Sequence, residues 1–370
     1  MAVPLLDLKA QHATIRDEVL PGLIQLIDDQ AFILGAPVGA LECEVAGLSR
    51  TRYAVGCANG TDAILIALRA LDIGRGDEVV TSPFTFFATA GTIHNAGATP
   101  VFVDIDPKTY NIRPDLAAAA VTAKTKAVIP VDLFGQMAAI EEIRRLLPTM
   151  PIIEDAAQSI GARRKIDGEW TMAGQAATIG TFSFFPSKNL GGYGDGGMIV
   201  TQDEAIFTRL QRLRTHGSVQ TYFHEEVGYN SRLDALQALV LSAKLPHLAA
   251  WSAKRRENAA YYTQAFADLA ELTPPYIDPA NESIFNQYTI RVTRRDELKA
   301  HLSAKGIGHS VYYPLPLHLQ PCFAYLGYRE GSCPEAEKAA KEVVSLPVFP
   351  ELTHAQRDEV VAAVRGFFGK

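Results

Sequence analysis

No apolar run in this chain approaches the ~20 residues that a helix needs to cross a bilayer, which excludes a helical membrane protein. The first residues, Met1-Ala2-Val3-Pro4-Leu5-Leu6-Asp7-Leu8-Lys9, lack a basic segment followed by a long apolar core, so no secretory signal is expected there. Cysteine is sparse. Cys43, Cys57, Cys322 and Cys333 form no CxxC pair and no Cys/His cluster at zinc-ligand spacing, so neither a structural metal nor a disulfide framework is expected. That usage fits a reducing cytoplasm. Positive charge is in deficit, with 35 Lys and Arg against 41 Asp and Glu. A net charge of −6 argues against nucleic acid as the main partner, although a local basic pocket stays compatible with it. There is no internal repeat and no low-complexity tract.

What is present is an ordinary globular composition in 370 residues, enough for one large domain and a smaller one. Residues 10–30 place Ile15, Val19, Leu20, Leu23 and Ile27 at helical spacing. Strand-like runs at Glu78–Val80, Pro100–Asp104, Lys126–Val131 and Pro151–Asp155 then alternate with helical segments. Such alternation predicts a mostly parallel sheet with helices on both faces, where ligands gather at the carboxyl ends of the strands. Residues 217–229 read as a polar loop. The run Lys254-Arg255-Arg256-Glu257 lies on a long helix and reads as a solvated face. Beyond it the composition changes. Tyr288–Val292 reads as a half-exposed strand, Ser310–His318 as a strand entering a Pro-rich loop, and 353–367 as a last helix. The expected division is a large domain over 1–250, N-terminal helices included, and a small α+β domain over 251–370.

The stretch Gly180-Thr181-Phe182-Ser183-Phe184-Phe185-Pro186-Ser187-Lys188, followed by a glycine-dense loop to Gly197, carries the most chemical information. Apolar residues precede Lys188 and flexible backbone follows it. Desolvation lowers a lysine pKa and frees the amine as a nucleophile able to form a Schiff base with an aldehyde. A surface lysine in a turn is an equally good reading of the stretch alone. Near Gly60-Thr61 a helix opens after a short strand, and its first-turn N–H groups suit a phosphate; plain N-capping by Asn59 or Thr61 explains the same residues. Asp155 ends a strand, where a carboxylate pairs with a protonated ring nitrogen or caps a helix. Its neighbour Glu154 should point the other way and serve structure. Phe84, Phe86 and Phe87 read as core by default, with one ring available for a flat ligand. The glycines after Lys188 sit between two strands with no helix opening directly after them, so they make a poor dinucleotide fingerprint.

Gly60-Thr61-Asp62, Glu154-Asp155-Ala156-Ala157-Gln158-Ser159, Ser183 before Pro186-Ser187-Lys188, and Gly228-Tyr229-Asn230-Ser231-Arg232-Leu233 follow one another in the order and spacing of one family. Together they make the whole chain resemble the DegT/DnrJ/EryC1/StrS family of sugar aminotransferases, which use pyridoxal phosphate (PLP) on a type I fold. The resemblance implies that Lys188 carries PLP and shuttles protons, that Asp155 holds the ring nitrogen, and that Gln158 lies beside the ring hydroxyl. It implies Gly60, Thr61 and Ser183 at the phosphate and Phe86 stacked on the ring. It further implies a homodimer with shared sites, in which Asn230 reaches the phosphate of the neighbouring subunit's cofactor. The implied reaction moves an amino group from L-glutamate to a UDP- or dTDP-linked 3-keto sugar, for surface polysaccharide, lipopolysaccharide or secondary-metabolite amino sugars. A 4-keto sugar or a dehydratase reaction is the alternative, although dehydratase relatives carry histidine in place of the lysine. Arg232, Tyr312, His318 and the 218–226 loop are the expected substrate contacts. Tyr312-Tyr313 departs from the uronate enzymes, which often read His-Tyr there; strand packing explains the pair as well.

Overall fold

A computed structural model describes residues 2–370. Its organising element is a seven-stranded sheet made of β1 (Tyr53–Cys57), β2 (Glu78–Thr81), β3 (Thr99–Phe102), β4 (Thr125–Ile129), β5 (Ile153–Asp155), β6 (Ile179–Ser183) and β7 (Gly197–Thr201). The order β3-β2-β4-β5-β6-β7-β1 is completed between β4 and β5 by the parallel bridges Val128–Ile152 and Val131–Asp155. Only β7 runs against its neighbours, so the sheet is mostly parallel, as the alternating pattern predicts. Val79, Val80, Ile153 and Ile179 are fully buried, which is what strands covered on both faces require. One face packs the helices Gly60–Ala70, Phe87–Asn95 and Glu204–Leu213; the other packs Ala36–Ser49 and Ala235–Lys244. Each fully buried Ile, Val or Leu among them contributes about 1.5–3 kcal/mol.

The register sets the rim where the site lies. Ser183 at the end of β6 pairs with Gly197 at the start of β7, and Gly197 pairs with Cys57 at the end of β1. Asp155 ends β5 two strands away from β7. The loop from Phe184 to Gly196 leaves and re-enters the sheet at this rim, closed by the Phe184 N–H donating to Gly196 O at 2.8 Å. Lys188 is therefore carried on a loop whose two ends are anchored in adjacent strands.

A separate core lies in the C-terminal part. The strands Leu272–Thr273, Tyr288–Val292 and Val343–Leu346 pack on the helices Leu248–Ala265, Arg295–Ala304 and His354–Phe367. Tyr288–Val292 is the central strand of the three and is buried on both faces, not half-exposed. Ser310–His318 is not a strand: only Ser310 bridges Ser345, because Pro314 and Pro316 have no N–H to offer a ladder. The 217–229 loop carries a small hairpin, Ser218–Gln220 with Phe223–His224.

Candidate active site

One cavity of about 860 Å³ opens at the carboxyl rim, and Gly60, Thr61, Phe86, Asp155, Gln158, Ser183, Lys188 and Tyr312 all line it. The sequence placed these eight on five separate segments, and the fold brings them to one wall.

The Gly60–Ala70 helix begins here because the Asn59 side-chain oxygen accepts the Asp62 N–H at 2.8 Å. That cap leaves the Gly60 and Thr61 amides without a protein acceptor at the positive end of the helix. Gly60 permits a close approach: a Cβ there would lie 2.6 Å from Ser183 Cβ, so no larger residue fits without displacing Ser183. Two free amides and two hydroxyls thus converge on a site suited to a phosphate.

Asp155 is buried at the end of β5. Its Oδ2 accepts from Thr89 Oγ1 at 2.7 Å, and Thr89 Oγ1 lies 2.9 Å from Thr85 Oγ1. Burial pushes the Asp155 carboxyl above its ordinary value, while the Thr89 hydroxyl, the Ala157 N–H and the Lys188 charge pull it back. A cationic N–H facing it from the cavity would complete its partners. Lys188 is half-buried and lines the same cavity as Asp155. Desolvation pulls its pKa down to about 8, against the opposing pull of Asp155. A minor but useful fraction is therefore neutral near physiological pH, where a free lysine is almost wholly charged, and the neutral form is what a nucleophilic or proton-moving amine needs. Gln158 is held from both ends, its Oε1 accepting the Phe134 N–H at 2.7 Å and its Nε2 donating to Tyr313 OH at 3.2 Å. Phe86 departs from the core reading: it is 58% exposed and offers a ring to the cavity, whereas Phe84 is buried.

The other candidates fall elsewhere. Asn230 is exposed, Arg232 is half-buried, and neither lines the cavity of its own chain; the 218–224 hairpin stays outside it as well. His318 does not reach the site. It is 1% exposed, with its Nε2 3.0 Å from Glu337 Oε1, so it braces the C-terminal part and the expected substrate contact is withdrawn. Sequence reasoning missed Thr89, which has no motif around it and is found only once its helix is laid beside β5. It also left Tyr313 without a role.

These residues fit a cofactor that presents a phosphate, a flat ring with a protonated nitrogen and an aldehyde. Gly60, Thr61 and Ser183 would take the first, Phe86 and Asp155 the second, and Lys188 the third.

A lysine tuned toward neutrality opposite a buried carboxylate, beside an anion cradle at a strand rim, defines an enzyme of amine chemistry. The DegT/DnrJ/EryC1/StrS aminotransferase family model matches residues 13–365, and the chain belongs to that family. It is 52% identical to the pleiotropic regulatory protein of Geobacillus stearothermophilus, across 100% of this chain and 99% of that one. It is 47% identical to the UDP-N-acetyl-3-dehydro-α-D-glucosamine 3-aminotransferase of Acidithiobacillus ferrooxidans, across 98% and 97% of the two chains. The crystal structure of S. venezuelae DesV in complex with a ketimine intermediate superposes with a TM-score of 0.96 at 40% identity, covering 100% of this chain and 99% of that one.

Proposed function

We propose that the chain is a PLP-dependent nucleotide-sugar aminotransferase, moving an amino group from L-glutamate to a 3-keto sugar carried on UDP or dTDP. The observation that carries this reading is the neutral-leaning Lys188 amine in one cavity with buried Asp155. The Acidithiobacillus relative, whose name specifies a UDP-linked 3-keto sugar, supports the substrate class. The name of the Geobacillus relative describes regulation by that protein, and a regulator would have no need of the lysine–carboxylate pair retained here.

Bound PLP supplies an aldehyde for the amine and a ring that accepts electrons while its nitrogen stays protonated. Asp155 keeps that nitrogen protonated, and Thr89 holds Asp155 in orientation. Lys188 Nζ would take the proton from the amino-acid carbon that gives up its nitrogen and, in the second half of the reaction, deliver one to the sugar carbon that receives it. Gly60, Thr61 and Ser183 would anchor the cofactor's phosphate, while Phe86 and Gln158, lining the same cavity, would help hold its ring in place. Asn230, exposed and outside its own cavity, serves the site of a second subunit in a homodimer.

Purified protein is given L-glutamate and a panel of UDP- and dTDP-linked 3-keto and 4-keto sugars, and products are read by mass. Amine transfer to 3-keto sugars is expected, with a loss of at least about 10³-fold in Lys188→Ala. Full turnover in that variant, or no aminated product from any sugar, would end this reading.

A further inference from the structure

The run Lys254-Arg255-Arg256-Glu257 is a solvated face only in part. Lys254 is exposed and pairs with Glu257 at 2.8 Å, but Arg255 is 4% exposed. Among the described residues four arginines are buried: Arg164, Arg214, Arg255 and Arg357. Arg164 has Glu141 at 2.7 Å and Asp278 at 3.0 Å, Arg214 has Glu42, and Arg357 has Glu257 at 3.3 Å. Arg255 alone has no carboxylate within the 4.0 Å of an ion pair. Its Nη1 donates to the carbonyls of Phe285 at 3.2 Å and Asn286 at 3.3 Å, and its buried Nε has no partner. Glu351 acts on it from beyond ion-pair distance, and burial pushes that carboxyl above its ordinary value.

A buried guanidinium with no ion pair within 4.0 Å and an unpartnered N–H is unfavourable unless something supplies the missing partner. Here the space for it exists. Arg255 lines a side pocket of about 90 Å³, and Ser187, Asn286, Gln287 and Tyr312 line both that pocket and the main cavity. Ser187 directly precedes Lys188, so the side pocket borders the loop that carries the reacting amine. Guanidinium groups favour planar carboxylates.

We propose that Arg255 and this side pocket form a carboxylate-binding subsite of the active-site cavity. The carboxylate comes from the amino-acid donor or from C6 of a sugar acid, so the assignment rests on the aminotransferase reading above.

Calorimetry on the cofactor-loaded protein, using unreactive glutarate, UDP-glucuronate and UDP-glucose, separates the sources. In Arg255→Met glutarate is expected to bind at least tenfold more weakly than in the parent, with Arg255→Lys between them and UDP-glucose unchanged. A loss confined to UDP-glucuronate keeps the subsite and assigns it to the sugar acid. Equal affinities of both carboxylates for parent and Arg255→Met, or no binding of either to the parent, overturn it. Should Arg255→Met fail to fold, a crystal of the parent with glutarate decides: a carboxylate oxygen hydrogen-bonded to Arg255 supports the subsite, and glutarate seated elsewhere removes it. Arg255-dependent glutarate binding in a protein that aminates no sugar of the panel would sink the functional reading and leave the subsite standing.

Discussion

Lys188 is useful to amine chemistry only while it is neutral, and its surroundings arrange that. Burial holds its pKa at about 8, below the 10.5 of a free lysine, so the neutral amine accumulates as pH rises through about 8. In cofactor-free protein, acylation of Lys188 by a small amine-reactive anhydride should follow that midpoint. Peptide mass spectrometry over a pH series reads it; a Lys188 midpoint near 10 would refute the role of burial. Lys244 is the internal control. Its pKa is also drawn down to about 8 by burial, but its amine is 3% exposed as a residue and donates to Gly191 O at 2.6 Å. It should stay unlabelled. Lys188 and Asp155 were legible because a lysine after an apolar run and an aspartate at a strand end are locally unusual. His318 was misread because the partner that buries it, Glu337, lies nineteen residues downstream with nothing in the sequence to join them.

At the scale of elements, the carboxyl ends of β4 and β5 are joined by two acids on the side away from the cavity. Asp132 accepts from Ala138 N–H at 2.8 Å and from Ser159 Oγ at 2.7 Å, while Glu154 Oε2 accepts from Gly174 N–H at 2.9 Å. Glu154 Oε1 is buried without a donor beside the Asp132 carboxyl, where one proton held by Glu154 would serve both acids. Burial pushes Asp132 up to about 6 and Glu154 well above its ordinary value. The folded state thus keeps a proton that the unfolded chain releases above about pH 4.5, and stability falls as pH rises from there through 6. Glu154→Gln supplies a permanent N–H in place of that proton. Its stability relative to the parent should rise between pH 5 and pH 8 by on the order of 1–3 kcal/mol, seen in urea unfolding at both pH values. Parallel pH curves for the two proteins would dismiss the shared proton. The strand alternation made Glu154 legible as structural, since it must face away from Asp155. Asp132 gave no signal, because its role depends on which strand β5 chooses as neighbour. The run Ser310–His318 was overread as a strand because Pro314 and Pro316 offer no N–H to a ladder, a limit that its local pattern hides.

For the whole molecule, the order of four motifs was enough to indicate the family, since type I chemistry distributes its site over successive strand ends. The division at residue 250 stays a proposal. The helix Leu248–Ala265 starts in the first core and ends in the second, Val3 packs into the C-terminal core, and Asn281–Glu282 pairs back with Arg163-Arg164. Packing of that kind, between segments far apart in the chain, is invisible to composition and periodicity, and it is what turned Arg255 inward. The four thiols are also sorted by the packing. Cys57 and Cys333 are sealed inside, where burial suppresses their ionisation, while Cys43 and Cys322 face solvent. A fluorophore coupled through maleimide would therefore mark the Ala36–Ser49 helix and the Pro321–Leu326 turn of the native enzyme, providing two optical handles without any mutation and without touching the catalytic rim.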